Sequence, residues 1–164
     1  MMTGDQRILF VDDDQRFLAS LRRSLAKSFD LTFVDSPQEA LEQLQEQKFS
    51  VVVSDMNMPG MSGVDLLSLV KSKYPETVRI LFTGFADQQS AIDAINQGEI
   101  FRFLTKPCDL VKLEQILSDA VRQNQLINAE RDGCQSVFSL ETGSVVRYGN
   151  IIATTVQSGN KFAI

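Results

Sequence analysis

Apolar residues run along this chain in two alternating rhythms. One is the short continuous run: Arg7 to Val11 (RILFV), Leu31 to Val34, Phe49 to Ser54, Val78 to Phe82 and Ile100 to Leu104. Such runs, rich in β-branched residues and phenylalanine, predict strands buried on both faces. The other rhythm is helical. Phe17, Leu18, Leu21, Leu25 and Phe29 fall at helical spacing, so Gln15 to Lys27 reads as an amphipathic helix, and Val64, Leu67 and Val70 line one over Gly63 to Lys73. Leu110, Leu113, Ile116, Leu117, Ala120 and Val121 line a long helix after Asp109. Punctuation supports these bounds. Ser36-Pro37-Gln38-Glu39 is a capping box with proline at the first helical position, starting a helix to about Gln47. Tyr74-Pro75 ends the third helix. Asp87 and Asp109 are expected to cap the fourth and fifth helices, and Gly98 to stop the fourth. Five strands alternating with five helices predict an α/β fold, a parallel sheet with helices on both faces.

In such a sheet every strand's carboxyl end lies on one edge, where ligands bind in open α/β folds. The strand ends here carry Asp12-Asp13-Asp14, Asp55, Thr83-Gly84 and Thr105-Lys106-Pro107. The third strand is the centre of this arrangement: it delivers Asp55, and Pro59-Gly60 then turns the chain. Clustered carboxylates raise one another's pKa unless a cation is present. An all-oxygen acidic site suits Mg²⁺, while Lys106 and Thr83 offer a positive charge and a hydroxyl to a phosphoryl group. The residues point to a divalent-metal site at which a carboxylate accepts phosphate. Asp14 is better read as the start of the first helix than as a ligand, and Met56, Met58 and Met61 as loop packing.

Charge and composition narrow the class. The net charge of -5 argues against non-specific nucleic-acid binding. No apolar run is long enough to span a membrane, and Met1 to Arg7 lacks a signal-like apolar core. The two cysteines, Cys108 and Cys134, have no metal-ligand spacing and read as free thiols in a cytoplasmic protein. The absence of histidine removes imidazole zinc sites and any phosphohistidine carrier within the chain. The expected division is a domain over 1–128 followed by an extension over 129–164. The latter lacks helical periodicity and carries Gly133, Gly143, Gly149 and Gly159 among Val, Ile, Thr and Ser, as short strands or a loosely ordered tail would.

VDDD at 11–14, DMNMPGMSG at 55–63, Thr83-Gly84 and FLTKP at 103–107 together resemble the receiver domain of two-component response regulators. The match covers residues 7 to about 128, and the joint order and spacing of these motifs make it specific. The resemblance implies a flavodoxin-like (βα)5 fold with strand order 2-1-3-4-5 and phosphorylation of Asp55. It implies a metal, Mg²⁺ or Mn²⁺, held by Asp12, Asp13, Asp55 and the backbone carbonyl of Asn57. Asp55 and Lys106 are the catalytic pair, Lys106 and Thr83 bind the phosphoryl group, and Thr83 with Phe103 forms the switch. Phe85 and Asn57 flank the site. Cys108 stands where the family often has an aromatic residue. The implied donor is a sensor histidine kinase or phosphotransfer protein. The implied output is a downstream protein, or self-dimerisation, through residues about 87–128. The protein is then not an enzyme but a switch. An alternative is the receiver part of a longer or truncated regulator whose output domain, for example a phosphohydrolase, is missing; a stand-alone receiver acting by protein contact is favoured. A further alternative is a haloacid-dehalogenase-like phosphatase with nucleophile Asp12, which leaves DMNMPGMSG unexplained. A flavodoxin is weaker, because the acidic first turn repels a cofactor phosphate.

Overall fold

The computed structural model describes residues 6–97, 100–138, 145–148 and 151–154. Gly98 and the side chains of Phe85 and Cys134 lie outside the described set, as does most of the expected extension. The central sheet consists of β1 (Arg7–Val11), β2 (Asp30–Val34), β3 (Val51–Asp55), β4 (Val78–Thr83) and β5 (Arg102–Thr105). All neighbours are parallel and the order is 2-1-3-4-5, the flavodoxin-like arrangement. Residues of the central strands β1, β3 and β4 are almost entirely buried, as their unbroken apolar runs require.

The helices are α1 (Gln15–Leu25), α2 (Pro37–Glu46), α3 (Gly63–Lys73), α4 (Gln88–Asn96) and α5 (Leu110–Phe138). Local side-chain chemistry starts four of them. The Asp14 carboxylate accepts from the backbone N–H of Arg16 and Phe17, confirming it as a cap. The Ser36 hydroxyl accepts from Glu39 N–H with Pro37 at the first position. Ser62, absent from the sequence reading, does the same for α3 through Asp65 N–H. Asp109 accepts from Val111 N–H at the head of α5.

Three expectations need correcting. Asp87 does not cap α4 with its side chain; a 3-10 turn over Phe85–Asp87 leads into the helix, and the carboxylate bonds elsewhere. Leu110 is exposed, whereas Leu113, Ile116, Leu117, Ala120 and Val121 are buried as expected. The position at 128, where helical character was expected to end, lies inside α5, which continues to Phe138. Beyond it, β6 (Val145–Tyr148) and β7 (Ile151–Thr154) form an antiparallel pair. The chain divides into two compact units, Met1–Leu126 and Ile127–Ile164. No described helix is long and apolar enough to cross a membrane.

Candidate functional site

The parallel register brings the acidic strand ends together. β1 pairs with both β2 and β3, so Asp12 follows Val11 directly beside the end of β3, where Asp55 closes the strand. One carboxylate oxygen from each of Asp12, Asp13 and Asp55 lies within 4.8 Å of the others. Asp12 is buried, Asp55 is half-buried and Asp13 is exposed, so the cluster opens to solvent on one side.

Lys106, delivered by the loop after β5, bridges two of the three. Its ammonium lies 2.5 Å from Asp12 Oδ2 and 2.9 Å from Asp55 Oδ1. Burial alone would lower the Lys106 pKa, but the hydrogen bonds to Asp12 and Asp55 overcome it and hold the group above its ordinary value. For Asp55 the balance goes the other way. Burial raises its pKa, the Lys106 hydrogen bond opposes that, and repulsion from Asp12 and Asp13 adds to the rise. One lysine does not neutralise three carboxylates.

Further residues set this geometry. Asp12 is fixed at both oxygens, Oδ1 accepting from Asp14 N–H at 2.9 Å and Oδ2 from Lys106. Gly63 N–H donates to Met56 O, which brings the start of α3 against the end of β3. A Cβ on Gly63 would lie 2.0 Å from the Asp55 carbonyl oxygen, so only glycine fits there. Gly60 turns the loop with φ +85. Met56 and Met58 are buried in the core and Met61 packs against it, in keeping with loop packing.

Thr83 ends β4 fully buried, with its hydroxyl donating to Gly84 O rather than to Asp55. Phe103 pairs in register with Leu81 and is half-buried against the core. Asn57 is exposed, and its amide donates to the Asp87 carboxylate at 2.7 Å. This tie between the β3–α3 loop and the turn before α4 spans thirty positions, and no local pattern announces it. Phe17, read from its spacing as part of the core stripe, also reaches the site: its ring centroid is 4.6 Å from Lys106 Nζ.

A site of three carboxylates without nitrogen or sulfur donors fits a hard divalent cation such as Mg²⁺. The chain is also similar to known proteins. The family description "Response regulator receiver domain" matches residues 8–118. The hydrogenase transcriptional regulatory protein HoxA of Cupriavidus necator is 37% identical over 116 residues, covering 71% of this chain and 23% of HoxA. A crystal structure described as adenylate cyclase from Rhodopirellula baltica superposes with a TM-score of 0.78 at 34% identity, covering 80% of this chain and 98% of that one. The signal receiver domain of an HD domain-containing protein from Pseudomonas fluorescens Pf-5 superposes with a TM-score of 0.72 at 34% identity, covering 80% and 96%. The chain spans about a quarter to a third of the length of curated relatives such as HoxA. With the five-stranded parallel sheet, the acidic edge and this match over most of its length, the chain belongs to the response regulator receiver domain family of two-component signalling.

Proposed function

We propose that this chain is a phosphorylation switch whose acceptor is Asp55. The observation that carries the reading is the cluster of Asp12, Asp13 and Asp55 with Lys106 bridging two of its members. Asp12 has both oxygens committed, to Asp14 N–H and to Lys106. Asp55 is the less constrained nucleophile, and this also weighs against a phosphatase acting through Asp12. The Asp55 oxygen attacks phosphorus of a phosphohistidine on a partner kinase or phosphotransfer protein; the P–N bond breaks, the imidazole leaves, and an acyl phosphate forms.

Asp12, Asp13, Asp55 and the backbone carbonyl of Asn57 would hold Mg²⁺ or Mn²⁺, which supplies charge neutralisation at the transferring group. Lys106 exchanges its Asp55 contact for a phosphoryl oxygen and keeps its hold on Asp12. Thr83 gives up Gly84 O to donate to the phosphoryl group, and Phe103 rotates into the space it leaves. The new charge acts by favouring one of two arrangements of the α4–β5–α5 face, residues about 87–128. A downstream protein or a second copy reads that face. The relatives are named as transcriptional regulators of greater length, so the same receiver could serve a larger regulator.

The test is incubation with Mg²⁺ and a small acyl-phosphate donor, read by intact mass and light scattering. The expected result is one phosphoryl adduct, abolished by Asp55→Asn and by EDTA. Modification that persists in Asp55→Asn but disappears in Asp12→Asn would instead favour the phosphatase reading.

A further inference from the structure

The strand ends account for the carboxylates and for Lys106, but not for what surrounds the ammonium. Lys106 Nζ lies 4.6 Å from the centroid of Phe17 and 5.9 Å from that of Phe82. The two rings meet edge-on, with centroids 5.6 Å apart and an interplanar angle of 70°. Phe82 is buried in β4, whereas Phe17 is only half-buried at the first turn of α1. We infer that Phe17 is a positioning residue for phosphoryl transfer, its ring forming the aromatic seat that holds the Lys106 ammonium between Asp12 and Asp55.

A lysine side chain is long and loses considerable rotamer freedom when fixed. Two carboxylates attract it but do not define one position, since either oxygen pair can be approached from several directions. A ring face within about 6 Å adds a directional attraction, stronger where water is partly excluded. Lys106 is 28% exposed, so the contact is partly desolvated. The seat is itself braced. The Asp14 cap fixes the first turn of α1 by bonding Arg16 and Phe17 N–H, and Phe82 meets the Phe17 ring in a T-shaped contact. Capping of one helix thus bears on the geometry of a loop ninety residues later. Simple packing predicts that any apolar group of the same shape would serve; an aromatic seat predicts that the charge distribution of the ring matters.

This inference rests on Asp55 as acceptor, and the experiment separates the two. Phe17 is replaced in the full chain by 4-fluoro-, 3,5-difluoro- and 3,4,5-trifluorophenylalanine, which keep the shape while progressively emptying the ring face. Phe17→Tyr and Phe17→Leu are the conservative and the aliphatic variants. The rate of Asp55 phosphorylation by a small acyl phosphate with Mg²⁺ is expected to fall stepwise along the series. Phe17→Leu should lose about tenfold, as removal of a partly desolvated cation–π contact implies, and Phe17→Tyr should stay near wild type. In parallel, the Lys106 Cε protons should show an upfield ring-current shift in the wild-type NMR spectrum that shrinks along the fluorinated series. Equal rates across the series overturn the inference. Should wild type itself take no phosphoryl group, the reading of Asp55 fails, and the ring-current series then decides the seat: a shift undiminished in the trifluoro variant overturns it.

Discussion

Asp55 carries two opposed influences, burial with like-charge repulsion on one side and the Lys106 hydrogen bond on the other. Its carboxyl is held above the ordinary value of 3.8, chiefly by burial, with the Lys106 hydrogen bond opposing and the charges of Asp12 and Asp13 adding to the rise. A raised acid binds its proton more tightly in the folded chain than in the unfolded one. Its contribution to stability is therefore full below pH 3.8 and is lost as pH rises through the higher folded value. At neutral pH the ionised group is a net cost to the metal-free fold, even with Lys106 2.9 Å away. In EDTA at pH 7, Asp55→Asn should melt at or above the wild-type temperature, and the difference should shrink on acidification toward the ordinary carboxylate range. Added Mg²⁺ should raise the wild-type melting temperature more than that of the variant. Thermal scans by circular dichroism read all three, and a variant melting well below wild type in EDTA at neutral pH would mean that the Lys106 bond outweighs burial and repulsion.

At the scale of elements, the junction of β3 and α3 shows which parts of this architecture could be read from sequence. Strand runs were legible because burial on both faces demands unbroken apolar stretches, and the acidic ends stood out because they break those stretches abruptly. Helix starts at Asp14, Ser36 and Asp109 were legible because a cap is a local bond between neighbours. Asp87 misled for the same reason: its carboxylate satisfies the distant amide of Asn57, a tertiary bond that sequence distance conceals. Phe17 misled because a helical stripe does not say where along its length the core gives way to the site. Gly63 carried no local signal, since glycine is well tolerated at a helix start; its demand comes from the close approach of the Asp55 backbone. The Gly63→Ala substitution tests that demand, with its Cβ placed 2.0 Å from Asp55 O. Forcing the backbones apart is expected to destabilise the fold by about 3 kcal/mol, the upper part of the usual overpacking range. It should also weaken Mg²⁺ binding, because Asp55 moves with the strand end. Chemical denaturation and metal titration measure the two effects, and a loss under about 0.5 kcal/mol, as for an ordinary surface change, would refute the close-approach role.

For the whole molecule, the question is how far the receiver domain extends along α5. Within the first compact unit α5 buries Leu113, Ile116, Leu117, Ala120 and Val121, while Leu110 and Val111 stay exposed. The buried Asn124 amide donates to Glu76 O at 2.8 Å, a fixed polar contact joining α5 to the segment before β4. That contact falls two residues before Leu126, where the first unit closes. Residues after it include the rest of α5 and the β6–β7 pair, which belong to the second unit. A chain shortened to residues 1–128 should therefore fold, keep its thermal stability within about 1 kcal/mol-equivalent of the full chain, and take one phosphoryl group on Asp55 at an unchanged rate. A second truncation at 120 removes Val121 and Asn124 and should unfold the domain, since it opens the core and strips the Glu76 contact together. Comparing the two by circular dichroism and intact mass locates the boundary. If the 1–128 chain folds but no longer accepts phosphate, residues after 128 take part in the chemistry, and the acidic edge of the sheet is not the complete site.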